Sequence, residues 1–302
     1  KRSIEKMEVK KGEKAVSNKI MFSDVGGQDE AIKELKKNIL YPIKYPEIKS
    51  GHNMNKSALL YGPPGTGKSL LAEACANESG AWYKKINASE LESKYVGESE
   101  KNWRDLFNVA RNNQPAIIFV DEFDAIAKQR GGQDVYGDKT LNTVLGLMSD
   151  VEKNGDEIYM IAATNNRASL DKAATRSGRF GVAIEVGAPD LKGTKQILGI
   201  HTKHQPLDKE FKTDAVVERL HKEKATGADI ASISESARNN ALEREHIYEK
   251  MENGTYTPND MKNLTVKTED FEKAIDKFVE TRNSKSGNRP KHPIGYRSPM
   301  YE

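Results

Sequence analysis

Residues Gly62-Pro63-Pro64-Gly65-Thr66-Gly67-Lys68-Ser69 constrain this chain more than any other stretch. They follow a short apolar run, Ala58-Leu59-Leu60-Tyr61, and lead into a helical pattern from Leu70 to Glu78. Strand, glycine-rich loop and helix, in that order, are the setting of a phosphate-binding loop. Glycines let successive backbone N–H groups turn inward around an anion. The start of a helix adds its positive dipole end to the same place. Pro64, Gly65, Thr66 and Gly67 are therefore expected to wrap the phosphates, with Leu70 opening the helix behind them. Lys68 is expected to reach the β- and γ-phosphates, and the Ser69 hydroxyl to hold Mg²⁺. The predicted ligand is a nucleoside triphosphate with Mg²⁺.

The rest of the composition fits a soluble frame around that loop. The chain has 302 residues, enough for one large or two modest domains. Charged residues make up 31% and the net charge is +3, with both signs mixed along the chain. A dedicated nucleic-acid binder would cluster its basic residues, so that class is disfavoured. No stretch approaches the roughly 18 apolar residues of a membrane span. No signal-peptide pattern is visible and a cytoplasmic location is expected. The first residue is Lys rather than Met, which leaves a preceding domain or membrane anchor open. Cys75 is the one cysteine, placed i+4 from Leu71 on the helix after the loop, and reads as a buried structural thiol. The histidines show no metal-ligand spacing.

Residues 1–20 read as a Lys/Glu-rich linker or arm. From 21 to 189, strand-like runs alternate with amphipathic helices. The strands are Ala58–Tyr61, Trp82–Asn87, Ala116–Asp121, Ile158–Thr164 and Val182–Val186. Trp103, Leu106, Phe107 and Ala110 recur at helical spacing, as do Leu141, Val144, Leu145 and Met148. Such alternation predicts an α/β domain with a parallel five-stranded sheet flanked by helices. After Pro189 the strand signal stops. Residues 190–282 predict a small all-helical domain, with helices over Asp190–His204, Ala215–Lys222, Ala228–Glu245 and Asp270–Val279. Thr268 is the expected N-cap of the last helix, and Glu249 to Lys267 is expected as a long exposed loop. From Asn283 a mobile tail is expected, spanning 283–302.

The third strand delivers Asp121 and Glu122 to its C-terminal end, which in a parallel sheet is the ligand edge. Asp121 is placed to orient Mg²⁺ and its waters, and Glu122 to polarise an attacking water. Asn165, after the fourth strand, offers both donors and an acceptor to water and γ-phosphate, though an isolated Asn could equally cap a turn. Arg176 and Arg179 suit bidentate contact with phosphate oxygens. From their place in the strand order they could reach a neighbouring subunit's nucleotide; the plain alternative is local surface ion pairs.

Phe22-Ser23-Asp24-Val25-Gly26-Gly27, the phosphate loop, Asp121-Glu122, Ala162-Ala163-Thr164-Asn165 and Ser177-Gly178-Arg179-Phe180 stand in the order found in AAA ATPases. The chain resembles that family over about 20 to 282, and within it the group containing valosin-containing protein, the proteasomal regulatory ATPases, katanin and spastin. Ile43-Lys44-Tyr45-Pro46-Glu47, Ile197 to Lys203 and Gly227-Ala228-Asp229-Ile230 carry the closer likeness. The resemblance implies a P-loop AAA module followed by a helical lid. It implies that Asp24 and Gly26 border the adenine, and that His201, Gly227 and Ala228 close over base and ribose. It makes Asn165 the first sensor, and Arg176 and Arg179 the arginine fingers that act on the adjacent subunit of a homo-hexameric ring.

The same resemblance makes Glu92 to Glu100 the first pore loop, with Tyr95 projecting into a central channel between Lys94 and Val96. Bulky flat groups grip varied side chains at low entropic cost. A second pore loop is expected near Lys128 to Asp138. The final Met300-Tyr301-Glu302 resembles the tail by which some relatives dock onto a proteolytic chamber. The chain departs from the family pattern at Lys172 and Ser177, where Pro is usual, and at Gly181-Val182, where Asp-Arg is usual. Those departures touch the positioning of the arginines and the communication between subunits.

The expected function is ATP hydrolysis coupled to remodelling, unfolding or translocation of a protein substrate through a hexameric pore. Three other classes compete: an ATP-driven nucleic-acid motor or loader, a nucleotide-gated scaffold without turnover, and the same engine specialised for microtubule severing or membrane-complex disassembly.

Overall fold

The computed structural model describes residues 19–49, 56–93, 95, 97–127, 135–170 and 180–287. Its centre is a five-stranded sheet: β1 (Ser57–Tyr61), β2 (Trp82–Asn87), β3 (Ala116–Asp121), β4 (Ile158–Thr164) and β5 (Val182–Glu185). The strands lie in the order β2-β3-β4-β1-β5, all parallel, as the alternating sequence predicts. β3 and β4 are buried along nearly their whole length, the apolar-throughout signature of strands covered on both faces. Trp82 pairs with Ala116 and Asn87 with Asp121, while Val120 lies across from Ala162. This register brings the C-terminal ends of β2 and β3 level.

Helices α1 (Asp29–Leu35) and α2 (Tyr41–Lys44) are joined through a widened π turn at Lys36–Leu40. Three longer helices follow: α3 (Lys68–Ser79), α4 (Glu98–Arg111) and α5 (Val135–Asn154). The α4 stripe Trp103, Leu106, Phe107 and Ala110 is buried, and so are Leu141, Val144 and Leu145 of α5. Both stripes pack with Ile118, Val120, Met160 and Ala162 in one core. Cys75 is buried on α3.

The all-helical part holds α6 (Leu191–Thr202), α7 (Thr213–Lys222), α8 (Gly227–Arg244), α9 (Ile247–Glu252), α10 (Pro258–Lys262) and α11 (Thr268–Gly287). Its core joins Leu198, Leu220, Ile230, Ala237, Phe271 and Ile275. Cα packing divides the chain into two compact units. One comprises the described residues of Lys1–Val25, Ile32–Leu60 and Ser69–Ile184; the other those of Gly26–Ala31, Tyr61–Lys68 and Glu185–Glu302. The phosphate loop as far as Lys68 thus falls with the helical unit, and Ser69 with the other.

The structure corrects three expectations. The stretch Glu249 to Lys267 is not one long loop but contains α9 and α10. Thr257 and Asp260 form a capping box around Pro258 at the first helical position, and Lys250 Nζ donates to Asp260 Oδ1 at 2.9 Å. Leu264 and Val266 are buried, and Val266 bridges Leu207. Second, Thr268 is already inside α11. Lys267 N donates to Asp270 Oδ2 at 2.8 Å, while the Thr268 hydroxyl accepts from Lys212 N. Asp270 is fully buried and takes both Nε and Nη2 of Arg244, so a tertiary ion pair fixes the helix start. Third, α11 continues past Asn283 to Gly287; residues 1–18 and 288–302 lie outside the described residues.

Candidate functional site

In the helical unit, the phosphate loop is shaped by backbone that only glycine allows. Gly62 has φ +148°, and a Cβ there would stand 2.2 Å from the Val186 carbonyl oxygen. Gly65 has φ +76°, and its Cβ would meet Thr226 Oγ1 at 2.7 Å. The Gly65 carbonyl accepts from Ala228 N at 3.1 Å, tying the loop to the first turn of α8. A reciprocal capping box of Thr226 and Asp229 fixes that turn. Within the loop, Thr66 Oγ1 donates to Pro63 O. Lys68 is buried, and its ammonium donates to Gly62 O at 2.9 Å and Pro63 O at 2.8 Å. The ammonium is thus held at the loop by the loop's own carbonyls. Pro64 and Gly65 are exposed.

Gly26 passes so close to α6 that a Cβ would lie 2.9 Å from Ile197. The next residue, Gly27, donates its N–H to Gln196 Oε1 at 2.8 Å. His201 closes the last turn of α6, and partial desolvation holds its imidazole below the ordinary histidine range. Gly227 and Ala228 open α8 directly behind Thr226, where Ala228 meets the loop.

In the α/β unit, Ser69 Oγ donates to Asp121 Oδ2 at 2.9 Å. The second residue of α3 and the last of β3 therefore present two hard oxygens side by side, a donor set that suits Mg²⁺. Asp121 Oδ1 accepts from Glu122 N at 3.0 Å. Glu122 sits in the left-handed region at φ +50°, a conformation that strains a side-chain-bearing residue. It is exposed just beyond the strand, and its Oε2 accepts from Asn87 Nδ2 at 2.7 Å. Asn87 Oδ1 in turn accepts from Ser89 N and Ser89 Oγ, fixing the amide's orientation. Lys85 Nζ lies 3.8 Å from Asp121 Oδ2.

Asn165 is exposed immediately past β4. Thr164 before it is buried and donates to Asp124 Oδ1 at 2.8 Å, binding the end of β4 to the turn after Glu122. Asp24 lies in a short 3-10 turn and accepts from Met21 N at 2.9 Å. Tyr95 is 74% exposed, the most open of the large apolar side chains described. Its N–H donates to Ser93 Oγ, which itself donates to Glu98 Oε2 at 2.6 Å. Lys94, Val96, Arg176, Arg179 and the Met300-Tyr301-Glu302 tail lie outside the described residues, as do 128–134 of the expected second pore loop. The remainder of that loop, from Val135, is the first turn of α5.

Sequence reasoning missed Asn87, Lys85 and Gln28. Gln28 is buried and its amide donates to Thr66 O at 3.4 Å and Gly187 O at 2.9 Å, a second brace on the phosphate loop. The available signal for Asn87 and Lys85 was strand parity. Residues 83, 85 and 87 share one face of β2.

Comparison with known proteins adds a family. Residues 58–188 match the family described as ATPase family associated with various cellular activities (AAA). The chain is 38% identical over 265 residues to Protein SAV of Sulfolobus acidocaldarius, covering 85% of this chain and 33% of that protein. It is 38% identical over 261 residues to the Cell division cycle protein 48 homolog of Archaeoglobus fulgidus, covering 85% and 35%. It is 39% identical over 224 residues to Proteasome-activating nucleotidase 2 of Haloferax volcanii, covering 72% and 54%. The chain thus spans a third to about half the length of these curated relatives. No helix among the described residues is long and apolar enough to cross a membrane.

Proposed function

The chain carries an AAA domain, and from that premise we propose that it is an ATP hydrolase whose turnover remodels, unfolds or moves protein chains. The observation that carries this reading is the Ser69–Asp121 hydrogen bond of 2.9 Å with Glu122 next in the chain. A metal-suited oxygen pair stands beside a carboxylate that can accept a proton from water. Bound Mg²⁺ would neutralise charge on the β- and γ-phosphates. Ser69 and Asp121 would hold it. Pro64 to Ser69 would present backbone N–H groups and the Lys68 ammonium to the phosphates. Glu122 would orient and deprotonate the attacking water, and Asn165 would contact it from the end of β4. Asp24, Gly26, His201, Gly227 and Ala228 would bound the base and ribose.

Arg176 and Arg179 would act on the nucleotide of the adjacent copy, which makes a homo-hexameric ring part of the proposal. Tyr95, with Lys94 and Val96, would grip the substrate chain. The 74% exposure of Tyr95 leaves its ring accessible to such a chain, as the reading requires. A relative named for proteasome activation supports a protein-directed nucleotidase. Docking of a proteolytic chamber through Met300, Tyr301 and Glu302, and a cytoplasmic location, belong to the same proposal.

The test is Glu122→Gln. It should keep ATP affinity within about twofold, lower phosphate release by about 10²-fold or more, and co-purify with polypeptide clients. Undiminished phosphate release, or recovery of nucleic acid alone, would reject the reading.

A further inference from the structure

Lys85 and Asn87 share one face of β2, and Phe119 and Asp121 share the same face of β3. The Lys85 ammonium lies 3.8 Å from Asp121 Oδ2 and 5.8 Å from the centroid of the Phe119 ring. Phe119 is fully buried, so the ammonium has a fixed aromatic surface on one side and a carboxylate on the other. The oxygen it faces is the one that accepts from Ser69 Oγ. A monovalent cation is therefore already resident beside the two oxygens suited to a divalent one.

We propose that Lys85 is an internal counter-cation that weakens Mg²⁺ binding at Asp121, so that the metal is retained only when phosphate oxygens complete its shell. This rests on the ATP-hydrolase reading above. Two effects act with the same sign. Lys85 stabilises the metal-free carboxylate, and its positive charge repels a metal that binds there. The pair is partly solvated, with side chains 52% and 28% exposed, so the effect is one of tuning. An ion pair of this exposure shifts an equilibrium by no more than about fivefold. The repulsion felt by a doubly charged ion adds to that, giving a combined shift of about three- to tenfold.

The experiment is a titration of a fluorescent ATP analogue bound to the full chain, with Mg²⁺ varied from none to saturation. In Lys85→Met the Mg²⁺ concentration at half-maximal gain in affinity should fall about three- to tenfold, while metal-free affinity stays within twofold. Lys85→Arg keeps the charge and should keep the parent midpoint. In an Asp121→Asn background Lys85→Met should bring no gain, because the carboxylate that couples the two cations is gone. An unchanged midpoint in Lys85→Met overturns the proposal. So does a loss of metal-free affinity, which would make Lys85 a nucleotide contact. A parent chain that binds no nucleotide at all would overturn the hydrolase reading itself, a result distinct from both.

Discussion

Asn87 Nδ2 donates to Glu122 Oε2 at 2.7 Å; Asn87 ends β2, and Glu122 directly follows Asp121, the last residue of β3 and the one paired with Asn87. The amide is locked by its own bonds to Ser89, so the carboxylate is held by a fixed group. A base that must point at one water gains from such a constraint. Asn87→Ala should lower kcat about tenfold and leave KM for ATP within about twofold, because Asn87 would act on Glu122 and not on the nucleotide. Steady-state phosphate release measures both constants. A kcat unchanged within twofold would remove Asn87 from the catalytic arrangement.

The backbone at Glu122 makes a second, separable prediction. At φ +50° a β-carbon is crowded, a penalty of about 1–2 kcal/mol for an L-residue. Glycine avoids that crowding but carries more chain entropy in the unfolded state, which takes back about 0.5–1 kcal/mol. Glu122→Gly should therefore be more stable than Glu122→Ala by about 0.5–1 kcal/mol, although both lose the carboxylate and both should be inactive. Urea unfolding of the two variants decides it; equal midpoints would show that the strain is relaxed elsewhere.

The candidate site residues at the ends of β1 and β3 were legible because both motifs are contiguous: eight residues around Lys68, and the apolar run that ends in Asp121 and Glu122. The sheet was equally legible, since strand-like runs alternate with helical stretches in the sequence. Asn87 and Lys85 were less so: strand parity puts them on one face of β2, but which residues of β3 they meet is set by the pairing of the two strands. The Thr268 cap failed for a related reason. The local signal was sound, but Arg244 draws the buried Asp270 to the helix start and shifts the boundary. The helix at Pro258 is different, for Thr257-Pro258-Asn259-Asp260 is itself a capping-box pattern and was readable.

Cys75 gives a prediction about pH. Burial first, and then the nearby Glu78 carboxylate, push its thiol up to about 12. The unfolded thiol titrates near 8.5. Because the folded value is the higher one, the stabilising contribution is fully present below about 8.5 and is lost progressively as pH climbs toward 12. Native protein at pH 8 should thus react with a thiol reagent about 10²-fold or more slowly than protein in urea. Cys75→Ala should flatten the decline in stability above pH 9 as read by urea midpoints. Rapid native labelling would place the thiol at the surface.

Tyr95 carries the mechanical half of the proposal. Its ring is 74% exposed, and Ser93 is held by Glu98 and Ser99 without it, so removing the ring should leave the fold intact. Truncation of an exposed side chain changes stability by less than about 0.5 kcal/mol. Nucleotide affinity should also be unchanged, because the proposed function gives Tyr95 no part in holding the nucleotide. What a grip contributes is contact area on an unspecific chain, and that depends on a flat apolar ring more than on its hydroxyl. Tyr95→Ala should therefore hydrolyse ATP at near the parent rate but unfold a tagged fluorescent client at least about tenfold more slowly, whereas Tyr95→Phe should retain most unfolding. Loss of client fluorescence alongside phosphate release reads the two functions together. If Tyr95→Ala unfolds the client as fast as the parent, the ring is not the grip, and the force must be delivered by another part of the chain.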